Sequence, residues 1–337
     1  MPDISRNISG YNFYCSDMTS FELSVYNTCV AALSHGTLCF EARFPERTDF
    51  SVTLKKLLNA LHYGCPELFF IDDKIKYNPE NDTPTIEVRP KYPPNDFDRM
   101  YKELDEKIDK LVRKLTNIPD AVGKIFALNE YFCNNIKYVH GLSSETGDAY
   151  SALVLGVARC EGIAKAAKII LDRLGYKSII LYGTACVNGV EESHAWNIAE
   201  VDGKWYQFDF TWCISRTFNE LKIPCVEYLF LTDAEMSIEH LSDVKGYPAS
   251  TDTSKTFWEL NKSVVRYSSD FEHLKPIAHG DNYYVVVKLQ QKPSFSDVKD
   301  QVPLWYKYEM SGAVISKNYA YIYNEQIGIL TLYLLNE

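Results

Sequence analysis

The sequence predicts an α+β fold, and three observations carry that reading. A helical run opens at Cys160 and closes at Gly175. Two strand-like runs, residues 193–201 and 205–212, are joined by Asp202-Gly203. Both ends of the chain show a strand–helix–strand–strand order. Three parts follow: an N-terminal α+β accessory segment over 1–95, a core with leading helices over 96–245, and a C-terminal α+β accessory segment over 246–337 that reads as a degenerate repeat of the first.

In the N-terminal segment, residues 15–35 recur on a helical period and end near Gly36. Residues 37–44 are apolar and aromatic and predict a strand. Residues 51–63 predict an amphipathic helix with Leu54, Leu57, Leu58 and Leu61 on one face. Residues 68–71 and 85–89 predict two strands around an Asn/Pro/Asp turn, and Pro90 to Pro94 breaks the pattern. A charged helix follows over 96–115, its alternating charges predicting a solvated face. A second helix is predicted over 119–136, with Pro119 near its first turn. At the other end, 283–289 predict a strand, 295–310 a helix despite Pro303, and 313–323 and 327–335 two strands around Asn324-Glu325. Phe50-Ser51 and Phe295-Ser296 occupy the same helix-entry position in the two flanks.

Composition narrows the function. Of 337 residues, 46% are apolar and 24% charged, which suits a globular chain with a sizeable core. A formal net charge of −10 argues against nucleic acid and against anionic membrane surfaces as partners. No apolar run is long enough to span a bilayer, and Met1 to Asn7 lacks the basic-then-apolar pattern of a secretory signal. The nine cysteines are odd in number, irregularly spaced and without a C-x-x-C pair. That predicts neither a disulfide framework nor a zinc site; it predicts no metal or cofactor and a reducing, cytoplasmic setting.

Cys160, His194 and Asp209 carry the chemistry. From Cys160, the residues Ile163, Ala167, Ile170, Leu171 and Leu174 recur at helical spacing, and Lys165, Lys168, Asp172 and Arg173 mark the opposite face. Cys160 therefore stands at a helix N-terminus, where unpaired N–H groups favour an anion and can serve as oxyanion donors. Gly162 and Ala164 are small enough to admit a close neighbour. Asp148 is placed to cap a short helix over 149–156.

Asp202-Gly203 is a strong signal for a two-residue type I′ turn. That turn pairs Val201 with Lys204, and the continued register sets His194 opposite Thr211 and Trp196 opposite Asp209. His194 and Asp209 then share a face, with Cβ atoms roughly 5–8 Å apart. A three-residue loop would put them on opposite faces. Each residue alone is more often structural: a buried thiol, a satisfied core histidine, a turn-capping aspartate. Together they fit a nucleophile, a base and an orienting carboxylate. Tyr150 and Gln207 are candidates for a side-chain oxyanion donor, Trp196 and Trp212 for walls of the cleft, and His240 reads as structural.

These stretches resemble the transglutaminase-like superfamily, with its papain-like Cys-His-Asp core. The resemblance runs from Asn129-Glu130-Tyr131-Phe132 and Ile136-Lys137-Tyr138 through Ala149-Tyr150-Ser151-Ala152-Leu153 and Cys160-Glu161-Gly162-Ile163-Ala164. It continues through His194-Ala195-Trp196-Asn197 and residues 205–212, and ends at Tyr228-Leu229-Phe230-Leu231-Thr232-Asp233. It is closest in kind to bacterial transglutaminase-like proteins. After Trp212 this chain reads Cys213-Ile214-Ser215, where many relatives continue with an acidic residue and a proline. The resemblance implies a catalytic helix packed on an antiparallel sheet, with Cys160 as nucleophile, His194 as general base and acid, and Asp209 as orienting carboxylate. It implies a cysteine peptidase, amidase or acyltransferase that works on protein or peptide amides through a thioester. The alternative is a non-catalytic binding or structural module on the same scaffold.

Overall fold

The computed structural model describes residues 4, 8 and 10–337, except 43–49, 79–84, 142–143, 188, 218–222, 267–273, 280–281, 310–317 and 336–337. The end of the strand predicted over 37–44, most of the turn that follows residue 78 and the start of the strand predicted from 313 lie outside the described residues.

Helix α1 (Ser20–Ser34) starts at a capping box: Thr19 Oγ1 accepts from the Glu22 N–H at 3.2 Å and the Thr19 N–H donates to Glu22 at 2.8 Å. Strand β1 (Cys39–Glu41), helix α2 (Phe50–His62) and strands β2 (Ile71–Asn78) and β3 (Thr85–Pro90) follow. They form an antiparallel sheet in the order β1-β3-β2. Helix α2 buries Thr53, Leu57, Ala60 and Leu61. Residues 68–70 are a buried turn and not a strand; the strand begins at Ile71. Their apolar side chains fill the core instead, with Phe70 on Phe97 at 4.4 Å and Phe69 stacked on Tyr150 at 5.5 Å between ring centroids.

Helix α3 (Phe97–Thr116) buries Phe97, Met100, Tyr101, Leu104, Ile108, Leu111 and Leu115, one stripe at helical spacing, and turns its charges outward. Asp120 caps helix α4 (Ala121–Asn135), accepting the Gly123 N–H at 2.7 Å. Strands β4 (Lys137–Tyr138) and β5 (Val157–Ala158) pair in parallel just before helix α5 (Cys160–Arg173). Strands β6 (Ser178–Val187), β7 (Val190–Val201) and β8 (Lys204–Phe208), helix α6 (Phe210–Arg216), strand β9 (Leu229–Leu231), helix α7 (Asp233–Met236) and strand β10 (His240–Ser242) complete the core. The five strands form one antiparallel sheet in the order β10-β6-β7-β8-β9, and α5 packs on β6 and β7.

The α5 helix is buried from Gly162 to Leu171 without a solvated face, which corrects the amphipathic reading. Lys165 and Lys168 lie inside because each has a carboxylate within reach: Lys165 meets Glu161 and Lys168 meets Asp172, both at 2.8 Å. Strand β8 is also shorter than predicted. It stops at Phe208, and Asp209 caps α6.

The C-terminal segment contains helix α8 (Phe257–Leu260), strands β11 (Val264–Val265), β12 (Ile277–His279) and β13 (Asn282–Leu289), helix α9 (Phe295–Glu309), and strands β14 (Asn318–Asn324) and β15 (Ile329–Leu335). Its main sheet runs β11-β13-β15-β14. The order β13-β15-β14 matches β1-β3-β2 of the N-terminal segment: first, third, second, all antiparallel. Phe50 and Phe295 each begin the helix and each meets a tyrosine of the second strand, Tyr77 at 4.5 Å and Tyr321 at 6.2 Å. The two flanks keep separate sheets. The N-terminal one reaches the core through Tyr63, which stacks on Tyr182 at 4.7 Å; the C-terminal one through Asn324, which donates to the Tyr228 hydroxyl at 2.7 Å.

Candidate active site

The site sits where α5 begins and the β7–β8 hairpin ends. Cys160 is the first residue of α5, half-buried, and the Arg159 side chain before it does not cap the helix, which leaves its first N–H groups without a cap from that residue. The small residue at 162 has the expected use. A Cβ there would lie 2.8 Å from the Thr146 carbonyl oxygen and 2.9 Å from that of Asp148, so only glycine lets the preceding loop close on the helix. Asp148 accepts the Ser151 N–H at 2.9 Å and starts the wide π-helical turn over Ser151–Leu155.

The hairpin has the predicted register from Val201–Lys204 to Asn197–Phe208, but the expected pairs of Trp196 with Asp209 and His194 with Thr211 do not form, because the chain turns into α6 after Phe208. Asp202 and Gly203 have φ of 51° and 77°, the positive pair of a type I′ turn, and Val201 pairs with Lys204. His194 and Asp209 nevertheless meet: His194 Nε2 lies 2.7 Å from Asp209 Oδ2. Asp209 leaves the strand ladder by donating its N–H to the Tyr228 carbonyl at 2.9 Å, and its Oδ1 accepts the Trp212 N–H at 3.0 Å. With Nε2 engaged, Nδ1 is the ring nitrogen of His194 left for another partner, and Cys160 is near enough to act on the imidazole electrostatically.

Electrostatics bind the set. Burial works against a charged His194, but the Asp209 carboxylate and then Cys160 outweigh it and raise the imidazole to about 10. Burial likewise opposes the Asp209 anion. His194 first and His240 second overcome it and hold the carboxyl well below its usual range.

Two cavities flank the pair. One of about 660 Å³ is lined by Cys160, Tyr63, Tyr182 and Asp243; the other, of about 790 Å³, by Lys137, Thr211, Trp212 and Arg216. Tyr138, His140, Glu192 and His194 line both, so the cleft runs across the Cys160–His194 pair.

The other sequence candidates fall in different places. Trp212 walls the second cavity as expected, 5.9 Å from the His194 ring. Trp196 is a buried backing for His194, nearly parallel to it at 6.1 Å. Gln207 is not an oxyanion donor: its Oε1 accepts Trp196 Nε1–H at 2.7 Å and its Nε2–H donates to Asp233 at 2.6 Å, which uses both ends. Tyr150 is not one either, because its hydroxyl donates to Glu103 at 2.6 Å and it lines neither cavity. Sequence reasoning missed Tyr138, whose position on β4 beside the helix start follows from the parallel β4–β5 pair. It also missed His240, which reaches Asp209 Oδ2 at 2.9 Å.

Among the described residues, His194, Asp209 and His240 are the one group that could supply three metal-ligand atoms. Their spacing is that of hydrogen bonds. Tetrahedral ligands at ordinary zinc distances stand about 3.3 Å apart, whereas Oδ2 lies 2.7 and 2.9 Å from the two nitrogens.

Residues 109–210 match the family model of the transglutaminase-like superfamily. Among solved structures, the chain is similar to a TGase at 19% identity, over 51% of this chain and 50% of that one, with a TM-score of 0.29. It is similar to a candidate cysteine protease from Cytophaga hutchinsonii at 16% identity, over 47% and 64% of the two chains, with a TM-score of 0.29. It is also similar to the periplasmic domain of TgpA from Pseudomonas aeruginosa at 14% identity, over 39% and 55%, with a TM-score of 0.27. The chain thus spans less than two-thirds of the length of each. No curated protein sequence gives a significant match. The matched segment contains Cys160, His194 and Asp209 in order, so what the match identifies is a transglutaminase-like superfamily domain within residues 109–210 of the chain.

Proposed function

We propose that the chain is a cysteine hydrolase or acyltransferase that acts on amide bonds of proteins or peptides through a thioester at Cys160. The observation that carries the reading is the hydrogen bond from the His194 imidazole to the buried Asp209 carboxylate, with His194 and Cys160 lining one cleft. His194 takes the thiol proton, and the thiolate sulfur attacks the amide carbon. The Cys160 N–H at the start of α5 faces the developing oxyanion. His194 returns the proton to the amide nitrogen, the C–N bond breaks and an amine leaves. Water or a second amine then gives its proton to His194 and attacks the thioester, and the thiolate departs. Asp209 keeps the imidazole in one tautomer and orientation throughout.

The cleft supports an extended polypeptide as substrate, since it continues on both sides of the pair. The matching order and aromatic contact of the two flanks support a degenerate repeat, with the N-terminal copy lending Tyr63 to the cleft wall.

Iodoacetamide labelling near neutral pH tests the mechanism. Cys160 is expected to react faster than the other eight cysteines, and Cys160→Ala to lose turnover on any acyl donor found by screening with and without an added amine. Uniform slow labelling of all nine cysteines would favour a non-catalytic scaffold and sink the proposal.

A further inference from the structure

The Asp209 carboxylate is buried and accepts three hydrogen bonds. Oδ1 takes the Trp212 N–H at 3.0 Å, and Oδ2 takes two imidazoles, His194 Nε2 at 2.7 Å and His240 Nε2 at 2.9 Å. The mechanism above uses only the first imidazole. We infer that His240 is a positioning residue: a neutral imidazole with its proton on Nε2 that pins the Asp209 carboxylate beneath His194. The inference rests on the reading of Cys160, His194 and Asp209 as the catalytic set.

The tautomer follows from the partners. A carboxylate oxygen only accepts, so His240 Nε2 carries the proton. His240 Nδ1 is buried and has no hydrogen-bond partner among the described residues. A proton there would strand a charged N–H away from water, which costs far more than a bare lone pair.

The surroundings fix the ring. Trp212 lies 4.4 Å from it between centroids, Trp196 5.1 Å and Tyr228 6.2 Å. The charged and titratable groups facing it are Asp209 from the β8–α6 junction, His194 from β7 at 5.4 Å, the Tyr228 hydroxyl and, behind the Trp212 and Tyr228 rings, Arg216 of α6. Arg216 is itself held between Glu227 and Glu239. A second imidazolium beside His194 would be a like charge in a buried site.

The fold delivers His240 by a long-range pairing. Strand β10 hangs on the edge of β6, with His240 opposite Ala185 and Ser242 opposite Gly183. A Cβ at Gly183 would lie 2.0 Å from the Leu241 carbonyl oxygen, so the strand reaches this depth only because position 183 carries no side chain. With His240 in place, Oδ2 is doubly engaged and Oδ1 is tied to the helix backbone, so the carboxylate has no free rotation. With His194 alone on Oδ2, the carboxylate would have one less restraint.

The test is the rate of Cys160 alkylation by iodoacetamide in the full-length protein, followed by mass spectrometry across about pH 5 to 9. His240→Leu removes the donor; His240→Gln puts an amide N–H at a similar reach. The Leu variant is expected to react about tenfold to a hundredfold more slowly near pH 6, with its acid limb moved to higher pH, and the Gln variant to recover most of that loss. A Leu variant with the wild-type rate and profile, while wild-type Cys160 stays selectively reactive, overturns the role of His240 and leaves the nucleophile standing. A Gln variant as slow as Leu also overturns it, because shape and not donation would then matter. Wild-type Cys160 no more reactive than its eight neighbours removes the catalytic reading and this inference with it. Independently of any variant's folding, ¹⁵N-histidine NMR of the wild-type protein is expected to show His240 protonated on Nε2 alone; the Nδ1–H tautomer would refute the assignment.

Discussion

His62 of α2 and Glu161 of α5 are in direct hydrogen-bonding contact across 99 residues of sequence. Glu161 follows the proposed nucleophile, where an isolated carboxylate would oppose a thiolate. It is instead enclosed by Arg159 at 2.7 Å, Lys165 at 2.8 Å and the His62 imidazole. Burial alone would raise this carboxyl, but Lys165 and then His62 outweigh it and hold it well below the usual range. Glu161→Ala should therefore strand buried cations and cost about 3–5 kcal/mol, with a smaller loss for Glu161→Gln, which keeps an acceptor. Urea unfolding measures both; a loss under about 1 kcal/mol for the Ala variant would mean that the cluster is exposed to solvent.

Glu67 sets a pH dependence of stability. Its side chain is buried, Oε2 has no hydrogen-bond partner among the described residues, and burial above all pushes the carboxyl from 4.5 up to about 7. Between those values the folded chain keeps a proton that the unfolded chain gives up. Stability is therefore highest below the unfolded value and falls as pH rises through the window, by at most about 3 kcal/mol. Glu227, also pushed to about 7 chiefly by burial, acts in the same direction. Glu67→Gln should raise the Tm at about pH 8 and change it little at about pH 4. Equal shifts at both pH values would contradict this.

The part of the site that the sequence makes legible is the part set by local chemistry. Asp202-Gly203 fixes a register that needs no tertiary information, and that register carries the chain to Phe208, one residue short of Asp209, near enough for the carboxylate to meet His194. Gly175, with φ of 89°, ends α5 where a glycine is expected to. What was misread depends on partners distant in the chain. Phe208, Asp209 and Phe210 alternate like a strand, but Asp209 finds the Trp212 N–H three residues on and starts a helix. An N-cap signal was present there, hidden by the apolar alternation around it. Lys165 and Lys168 look solvated, since no pattern on α5 reveals that α2 covers one and that Tyr11 and Ser178 carbonyls receive the other. His240 carries no local signal at all. Its role arises from the β6–β10 pairing.

Gly203 should be the least replaceable residue of the hairpin. Nothing lies within 4 Å of where its Cβ would stand, so the obstacle to a side chain is the backbone φ of 77° and not space. Gly203→Val is expected to cost about 1–2 kcal/mol and to slow Cys160 alkylation, because the turn sets the His194–Asp209 register. Gly203→Asn, which tolerates that conformation, should lose much less. If Val and Asn behave alike in urea unfolding, the turn does not control the register.

Asp209→Asn offers the sharpest test of the carboxylate. The aspartate presents only acceptors, to the Trp212 N–H on one oxygen and to two imidazole N–H groups on the other. An asparagine has one oxygen and one NH₂. If its oxygen faces the imidazoles, the NH₂ meets the Trp212 N–H and the cap of α6 is lost. If its oxygen faces Trp212, the NH₂ meets two imidazole donors, and His194 must move its proton to Nδ1, where it blocks the nitrogen that would deprotonate Cys160. Either placement costs about 1–3 kcal/mol of stability, and turnover should fall by about 10³–10⁴-fold. The two are separable by measurement: urea unfolding reports the first, and the rate on an acyl donor, checked beside Cys160 alkylation, reports the second. An Asn variant with the wild-type rate would show that His194 needs no carboxylate, and the assignment of Asp209 as its orienting partner would have to be withdrawn.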